Sequence, residues 1–134
     1  MFNNSFLKKL NILFIESNTE DREHFSNILY KFFNNVVVCS NGKDGIDNFL
    51  EKRQEYFVDI IICDKTLEDI TGIEVLKKIR EIDSEIPFII TSPKIEVDDL
   101  LIAIKYKATD YLSKPINGKD MIFCIERGCH NKYH

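Results

Sequence analysis

The sequence predicts an α/β fold in which helices cover both faces of a parallel β-sheet. Short apolar runs rich in β-branched and aromatic residues alternate with longer segments whose apolar residues recur at helical spacing. A single helical segment separates each strand candidate from the next, so neighbouring strands cannot pair as hairpins. The central run, Ile60 to Cys63, is apolar at four consecutive positions, which is typical of a strand buried on both faces.

Length and composition describe one globular domain. The chain has 134 residues, of which 44% are hydrophobic and 30% charged. The net charge of −4 and the absence of a lysine and arginine cluster argue against direct nucleic-acid binding. No apolar run approaches the roughly 18 to 20 residues that span a bilayer, and the N-terminus lacks the order of a signal peptide. We therefore expect a cytoplasmic protein without membrane contact.

Five strands and five helices are expected from the pattern. The strand candidates are Ile12–Glu16, Val36–Ser40, Ile60–Asp64, Phe88–Ser92 and Asp110–Ser113. The helical stripes are Phe25, Ile28, Leu29, Phe32 and Phe33; Ile46, Phe49 and Leu50; Val75, Leu76 and Ile79; Val97, Leu100, Leu101 and Ile104; and Met121, Ile122 and Ile125. Asn18 or Thr19 can cap the first of these helices.

Polar residues end several of the predicted strands, and in open α/β sheets these ends form the ligand crevice. Glu16 and Asp64 bring two carboxylates to this edge, Thr91 and Ser92 bring hydroxyls, and Lys114 brings a cation. Neighbouring carboxylates repel unless a cation lies between them, and hard oxygen ligands suit Mg²⁺. Because phosphoryl transfer depends on charge neutralisation and positioning, these residues favour a phosphoryl group on or beside Asp64.

Four segments carry a resemblance to a known family. They are ILFIESN, VDIIICDKTLEDITGIEVLKKIR, IPFIITS and ATDYLSKPI, which occur in this order over roughly residues 10 to 130. The chain resembles a receiver domain of two-component response regulators, of the chemotaxis-regulator type. The resemblance implies a three-layer, doubly wound sheet in the flavodoxin-like order 2-1-3-4-5. It also implies a single receiver domain over residues 1–134, with no output domain within them.

The resemblance assigns roles to individual residues. Asp64 is the expected phosphoacceptor, and Lys114, followed by proline, contacts the phosphoryl oxygens. Ser92 is the switch hydroxyl, with Thr91 as the alternative if the strand register slips by one residue. Tyr111 is the aromatic residue whose exposure changes on activation. The expected partners are a histidine kinase or phosphotransfer protein, and a downstream output protein or fused output domain.

The metal pocket departs from the family pattern. Glu16, Asp64 and the backbone carbonyl of Thr66 are the expected Mg²⁺ ligands. The second acid of the pocket, usually aspartate, is Ser17, which can hold the metal only weakly or through water. We therefore expect weak Mg²⁺ binding, because ligand charge sets affinity for hard cations.

Other departures affect the loops around the site. Pro93 stands where a small residue is usual, Glu68 where proline is usual, and Lys107 where glycine is usual. Proline removes a backbone N–H, and a left-handed lysine is strained. Gly72 matches the expected turn glycine.

Alternative functions remain open from sequence alone. Loss of the acid at Ser17 is compatible with a pseudo-receiver that only binds proteins. A phosphatase that forms its own aspartyl-phosphate is disfavoured, because its second acid would stand at Thr66. Asp64 alone is also compatible with a capping acid, Lys114 with a solvated lysine and Tyr111 with a packed aromatic.

The C-terminal end contains residue types that ligate metals. They are Cys124, Cys129, His130 and His134. Their spacing is unlike that of structural zinc sites, and the irregular cysteine spacing also argues against a disulfide framework.

Overall fold

A computed structural model describes residues 2–53 and 57–133, the last three of these by their backbone alone. The strands are Asn11–Ile15 (β1), Asn35–Cys39 (β2), Ile60–Asp64 (β3), Phe88–Ser92 (β4) and Asp110–Ser113 (β5). The helices are Asn4–Leu7 (α1), Thr19–Phe32 (α2), Gly42–Lys52 (α3), Gly72–Ile82 (α4), Val97–Lys105 (α5) and Gly118–Tyr133 (α6).

The strands form one parallel sheet in the order β2-β1-β3-β4-β5. This confirms the predicted flavodoxin-like topology. The register places Asp64 beside Thr91, and Ser92 beside Ser113. The carboxyl ends of β3, β4 and β5 therefore meet at one edge of the sheet, as the strand-end argument required.

Two hydrophobic cores lie on opposite faces of this sheet. One core contains side chains of α1, α2 and α6, and the other contains side chains of α3, α4 and α5. Within β3, Ile60 and Ile62 pack into the first core, whereas Ile61 and Cys63 pack into the second. All four side chains are fully buried, so the continuous apolar run does mark a central strand.

The strand bounds agree closely with the predicted ones. The limits of β3, β4 and β5 are as predicted, whereas β1 and β2 each begin and end one residue earlier. Asn11 and Asn35 open these strands as a register pair, and the Asn35 side chain donates to the Asn11 side chain at 2.9 Å. Polar residues at a strand entrance carry no apolar signal, which explains the shift. Glu16 consequently lies just beyond β1.

Helices form at all five predicted stripes, but not every stripe residue is buried. Leu50 of α3 is 44% exposed, and most of the α5 stripe faces solvent. Val97, Leu101 and Ile104 were expected to face the core, but they are 71%, 59% and 63% exposed. The helix instead buries Ala103 and packs Ile102 against the second core. Periodicity locates an apolar stripe without saying which side of the helix meets the sheet.

The structure shows which of the two candidate residues caps α2. Asn18, rather than Thr19, caps α2, and its side chain accepts from the Asp21 backbone N–H at 2.9 Å. The short helix α1 was not predicted, because four residues are too few to show a period. None of the helices within residues 2–53 and 57–133 combines the length and apolarity that crossing a membrane requires.

Lys107 takes up the left-handed conformation after α5, with φ of 60°. The helix end is closed by a hydrogen bond from the Ala108 N–H to the Ala103 carbonyl at 2.9 Å. Arg80 also donates to the carbonyls of Tyr106 and Lys107, at 2.8 and 3.0 Å. These bonds hold a conformation that a residue with a Cβ atom disfavours.

We expect Lys107→Gly to stabilise the protein by about 1 kcal/mol, because glycine removes the left-handed penalty. Urea unfolding followed by circular dichroism measures this change. The control is Lys105→Gly, which places the same substitution in the last turn of α5 and should destabilise by about 1 kcal/mol. If both variants lost the same free energy of unfolding, the proposal that Lys107 is strained would be wrong.

Candidate functional site

Two buried carboxylates define the edge of the sheet. Asp64 at the end of β3 is 3% exposed, and Glu16 directly after β1 is 1% exposed. Burial and the neighbouring charge of Asp64 both raise the pKa of Glu16. A nearby cation stabilises a pair of buried carboxylates.

Lys114 supplies that cation from the segment after β5. Its Nζ lies 2.8 Å from Glu16 Oε1, 3.0 Å from Asp21 Oδ2 and 3.2 Å from Asp64 Oδ1. Burial opposes its charge, but the bonds to Glu16 and Asp21, together with the charge of Asp64, raise the pKa of Lys114. The ammonium is therefore held charged among three carboxylates.

Gly72 sets the path of the backbone beside Asp64. Its N–H donates to the Lys65 carbonyl at 2.8 Å. A Cβ atom at this position would lie 2.4 Å from the Asp64 carbonyl oxygen and 2.8 Å from the Lys65 Cα atom. Only glycine allows α4 to begin so close to the end of β3.

Ser17 is engaged in holding loops together. Its hydroxyl donates to the Ser40 carbonyl at 2.6 Å and accepts from the Glu68 N–H at 3.1 Å. The side chain of Arg22 also donates to the carbonyls of Glu16 and Ser17, each at 3.0 Å. Ser17 thus links the loops after β1, β2 and β3, and these two interactions use its only donor and one of its two acceptor positions.

Asp69 adds a further tie on the loop after β3. Its two carboxylate oxygens accept from the backbone N–H groups of Gly42 and Lys43, both at 2.8 Å, at the start of α3. Although partial burial opposes ionisation, these hydrogen bonds lower the pKa of Asp69. The loop that follows the buried acid is therefore anchored to the neighbouring helix.

The two candidate hydroxyls occupy different positions. Thr91 Oγ1 lies 3.3 Å from Asp64 Oδ1 and donates to it. Ser92 Oγ donates instead to the Lys94 carbonyl at 2.7 Å, across Pro93. In this conformation it is therefore Thr91 that contacts the acid, whereas Ser92 is bonded within its own loop.

Lys65 and Tyr111 connect the site with α5. The Lys65 ammonium pairs with the Asp99 carboxylate of α5, and this bond raises the pKa of Lys65. The Tyr111 hydroxyl is buried and, among the described residues, has no hydrogen-bond partner of normal geometry. Burial raises the pKa of Tyr111, and neighbouring Ser92 offsets part of that rise.

The oxygen ligands for a metal are present only in part. Glu16 and Asp64 offer hard carboxylate oxygens, which fit Mg²⁺ chemically. Thr66 lies two residues after Asp64 on the exposed loop. Across residues 2–53 and 57–133, however, no group of three or more His, Cys, Asp or Glu side chains is arranged to hold a metal ion. Lys114 already pairs with both carboxylates.

The C-terminal residues form no recognisable metal site in the described part of the chain. Cys124 and Cys129 are buried free thiols on α6, and His130 is exposed. His134 lies outside the described residues.

Asp21 was not singled out from the sequence as a site residue. An acid in the first turn of a helix is ordinarily accounted for by the helix dipole, so Asp21 does not stand out in the sequence. The available signal was its position: a helix that follows β1 begins at the same edge of the sheet. No sequence pattern indicates the ion pair between Lys65 and Asp99, because the two residues are 34 positions apart.

Comparison with known proteins gives consistent results. Residues 12–126 match the model of the response regulator receiver domain. The chain is 35% identical over 82 residues to the transcriptional regulatory protein ZraR of Klebsiella oxytoca, covering 61% of this chain and 18% of that protein. It is 34% identical over 88 residues to the response regulator ArlR of Staphylococcus aureus, covering 66% of this chain and 38% of that protein. The chain thus spans well under half the length of these relatives.

Solved structures show the same fold. A response regulator receiver domain protein from Clostridium thermocellum superposes with a TM-score of 0.84 at 23% identity, covering 92% of this chain and 97% of that one. A CheY-like receiver domain protein from Methanospirillum hungatei gives 0.82 at 20% identity, covering 93% and 97%.

Proposed function

Because the chain belongs to the family of response regulator receiver domains, we propose that Asp64 accepts a phosphoryl group from a histidine kinase or phosphotransfer protein. The observation that carries the proposal is the placement of Asp64, buried at the carboxyl end of β3 with Lys114 Nζ 3.2 Å from its Oδ1. Receiver domains are generally not catalytic enzymes, and we propose that this domain, residues 1–134, likewise acts as a substrate and switch.

The proposed transfer moves one phosphoryl group between two side chains. An Asp64 carboxylate oxygen donates an electron pair to phosphorus as the P–N bond to the donor histidine breaks. The electron pair of that bond stays on the imidazole, which leaves as a neutral ring because its other nitrogen carries a proton. Lys114 would then neutralise one of the phosphoryl oxygens, as its position beside Asp64 allows.

Receiver domains typically bind Mg²⁺ for phosphorylation. In this chain we propose that Glu16 and Asp64 would hold the ion, with the Thr66 carbonyl as a further ligand and Ser17 contributing at most through water. The ion supplies positive charge that neutralises the transferring group. Ser17 adds no charge, and its hydroxyl is already bonded to Ser40 and Glu68, so we expect weak binding.

We propose that the phosphoryl group changes the surface formed by α5, β5 and α6, which would meet an output protein or fused output domain. Ser92 is the proposed switch hydroxyl, and Thr91, which contacts Asp64 in this conformation, is the alternative. Tyr111 on β5 is the proposed aromatic switch. Its buried hydroxyl has no partner of normal geometry in the described residues, so a rearrangement that supplies one would be favourable.

Asp64→Asn should abolish phosphorylation, because an amide oxygen is too poor a nucleophile to form the acyl phosphate. The wild-type protein, incubated with Mg²⁺ and acetyl phosphate or a cognate kinase, should gain one hydroxylamine-labile phosphoryl group, detected by mass spectrometry. The control is Asp59→Asn, the same change at the opposite end of the central strand, which should still be phosphorylated. A wild-type protein that never gains the group would refute the proposed function.

Removing each hydroxyl in turn tests whether Ser92 or Thr91 is the switch. If Ser92 is the switch, Ser92→Ala should weaken beryllofluoride binding about tenfold, because a hydrogen bond to a charged group is lost. Thr91→Val removes the hydroxyl that contacts Asp64 now and should change binding much less. Fluorine NMR titration measures both affinities. The reverse order of effects would assign the role to Thr91.

The second candidate function is a phosphorylation-independent pseudo-receiver, and the engagement of the Ser17 hydroxyl favours it. Ser17→Asp separates the candidates. The added carboxylate should raise Mg²⁺ affinity about tenfold, since charge count tunes such sites. It should also lower stability by about 1 kcal/mol, because the donor to the Ser40 carbonyl is lost. Magnesium titration followed by NMR, and urea unfolding, measure the two effects.

Ser17→Ala is the control for this substitution, since it also loses the hydrogen bond to the Ser40 carbonyl and adds no charge. It should show the stability loss without the gain in Mg²⁺ affinity. Absence of any magnesium response in both the wild-type protein and Ser17→Asp would favour the pseudo-receiver.

A further inference from the structure

We infer that Asp21 is the counter-ion that a phosphoryl group on Asp64 displaces from Lys114, so that Asp21 limits how tightly the site holds that group. This inference rests on the proposed function and concerns a positioning residue of the same site. It assigns to α2 a role that the resemblance does not supply.

The hydrogen bonds of Lys114 go to Glu16 and Asp21 and not to Asp64. The ammonium donates to Glu16 Oε1 at 2.8 Å and to Asp21 Oδ2 at 3.0 Å. Asp64 Oδ1, at 3.2 Å, is an ion-pair partner and not the target of either of these hydrogen bonds. These two bonds use two of the three N–H donors of Lys114, so only one remains for a phosphoryl oxygen on Asp64, and a second bond to the group requires Lys114 to give up Glu16 or Asp21.

Burial decides which partner Lys114 gives up. The Glu16 side chain is 2% exposed, and separating it from the ammonium would leave a buried charge without its cation. The Asp21 side chain is 40% exposed, so water can replace the ammonium there at little cost. Asp21 is thus the partner that exchanges, whereas Glu16 stays bonded.

The negative charge of Asp21 also opposes a phosphoryl group on Asp64. Asp21 is the third carboxylate around a single ammonium, and an arriving phosphoryl group adds further negative charge beside it. Asp21 therefore opposes that group twice, by occupying Lys114 and by direct repulsion. Asp21 and Lys114 also line one cleft, together with His24, Phe25, Pro93, Pro115 and Ile116, so the displaced carboxylate has access to solvent.

Asp21→Asn tests the inference, because the amide keeps the size of the side chain and removes its charge. With saturating Mg²⁺, beryllofluoride should bind the variant about threefold to fivefold more tightly than the wild-type protein. Fluorine NMR titration gives both dissociation constants. A residue with only a structural role would weaken binding when replaced, so the expected sign itself distinguishes the two roles.

The matched control is Glu20→Gln. Glu20 is the neighbouring acid in the same first turn of α2 and is exposed. Its substitution removes the same charge from the helix end, and beryllofluoride affinity should stay near the wild-type value. If both variants tighten binding equally, the general charge of the helix end is responsible and the specific role of Asp21 is refuted.

A second readout needs neither metal nor anion. In a crystal structure of Asp21→Asn, Lys114 Nζ should approach Asp64 Oδ1 more closely than 3.2 Å and form a directed hydrogen bond with it. Failure of beryllofluoride to bind the wild-type protein would refute the proposed function, and this inference with it. Binding to the wild-type protein with no tightening in Asp21→Asn would refute the inference alone.

Discussion

The ion pairs of Lys114 are the interaction on which the site depends. Glu16 and Asp64 are brought together by β1 and β3 and are almost completely buried. Without a cation these carboxylates would repel each other, and burial together with the charge of Asp64 already raises the pKa of Glu16. Because the strands are parallel, the segment after β5 brings Lys114 to the same edge of the sheet. The strand order therefore supplies the cation that the two buried carboxylates need. Asp21 completes the arrangement from α2.

Hydrogen bonds fix the loops around this charged centre. Ser17 uses its hydroxyl to join the loops after β1, β2 and β3, where a second carboxylate would attract a cation more strongly. Gly72 lets α4 start against the Asp64 backbone, and Asp69 anchors the same loop to α3. These contacts fix the loops that surround Asp64 relative to one another.

The sequence predicts the sheet well because its signals are local. Buried strands must be apolar and helices must alternate with them, so the parallel sheet and the edge that carries Asp64 and Lys114 follow from periodicity, whereas the strand order follows from the family resemblance. Asp21 and the Lys65–Asp99 pair could not be found in this way, since they depend on how helices sit against the sheet. The predicted orientation of α5 was wrong for the same reason. Its apolar side chains recur at helical spacing as expected, but most of them face solvent and Ala103 lies on the buried side.

An ion pair links α5, with its exposed apolar side chains, to the loop that follows Asp64. Lys65 directly follows Asp64 and pairs with Asp99 in the first turn of α5. If phosphorylation of Asp64 shifts the backbone of this loop, the position of the Lys65 ammonium relative to Asp99 changes with it. A weaker bond to Asp99 loosens the start of the helix, whose apolar side chains Val97 and Leu101 are already exposed. Chemistry at one strand end can thereby alter an apolar surface on α5 through a single ion pair.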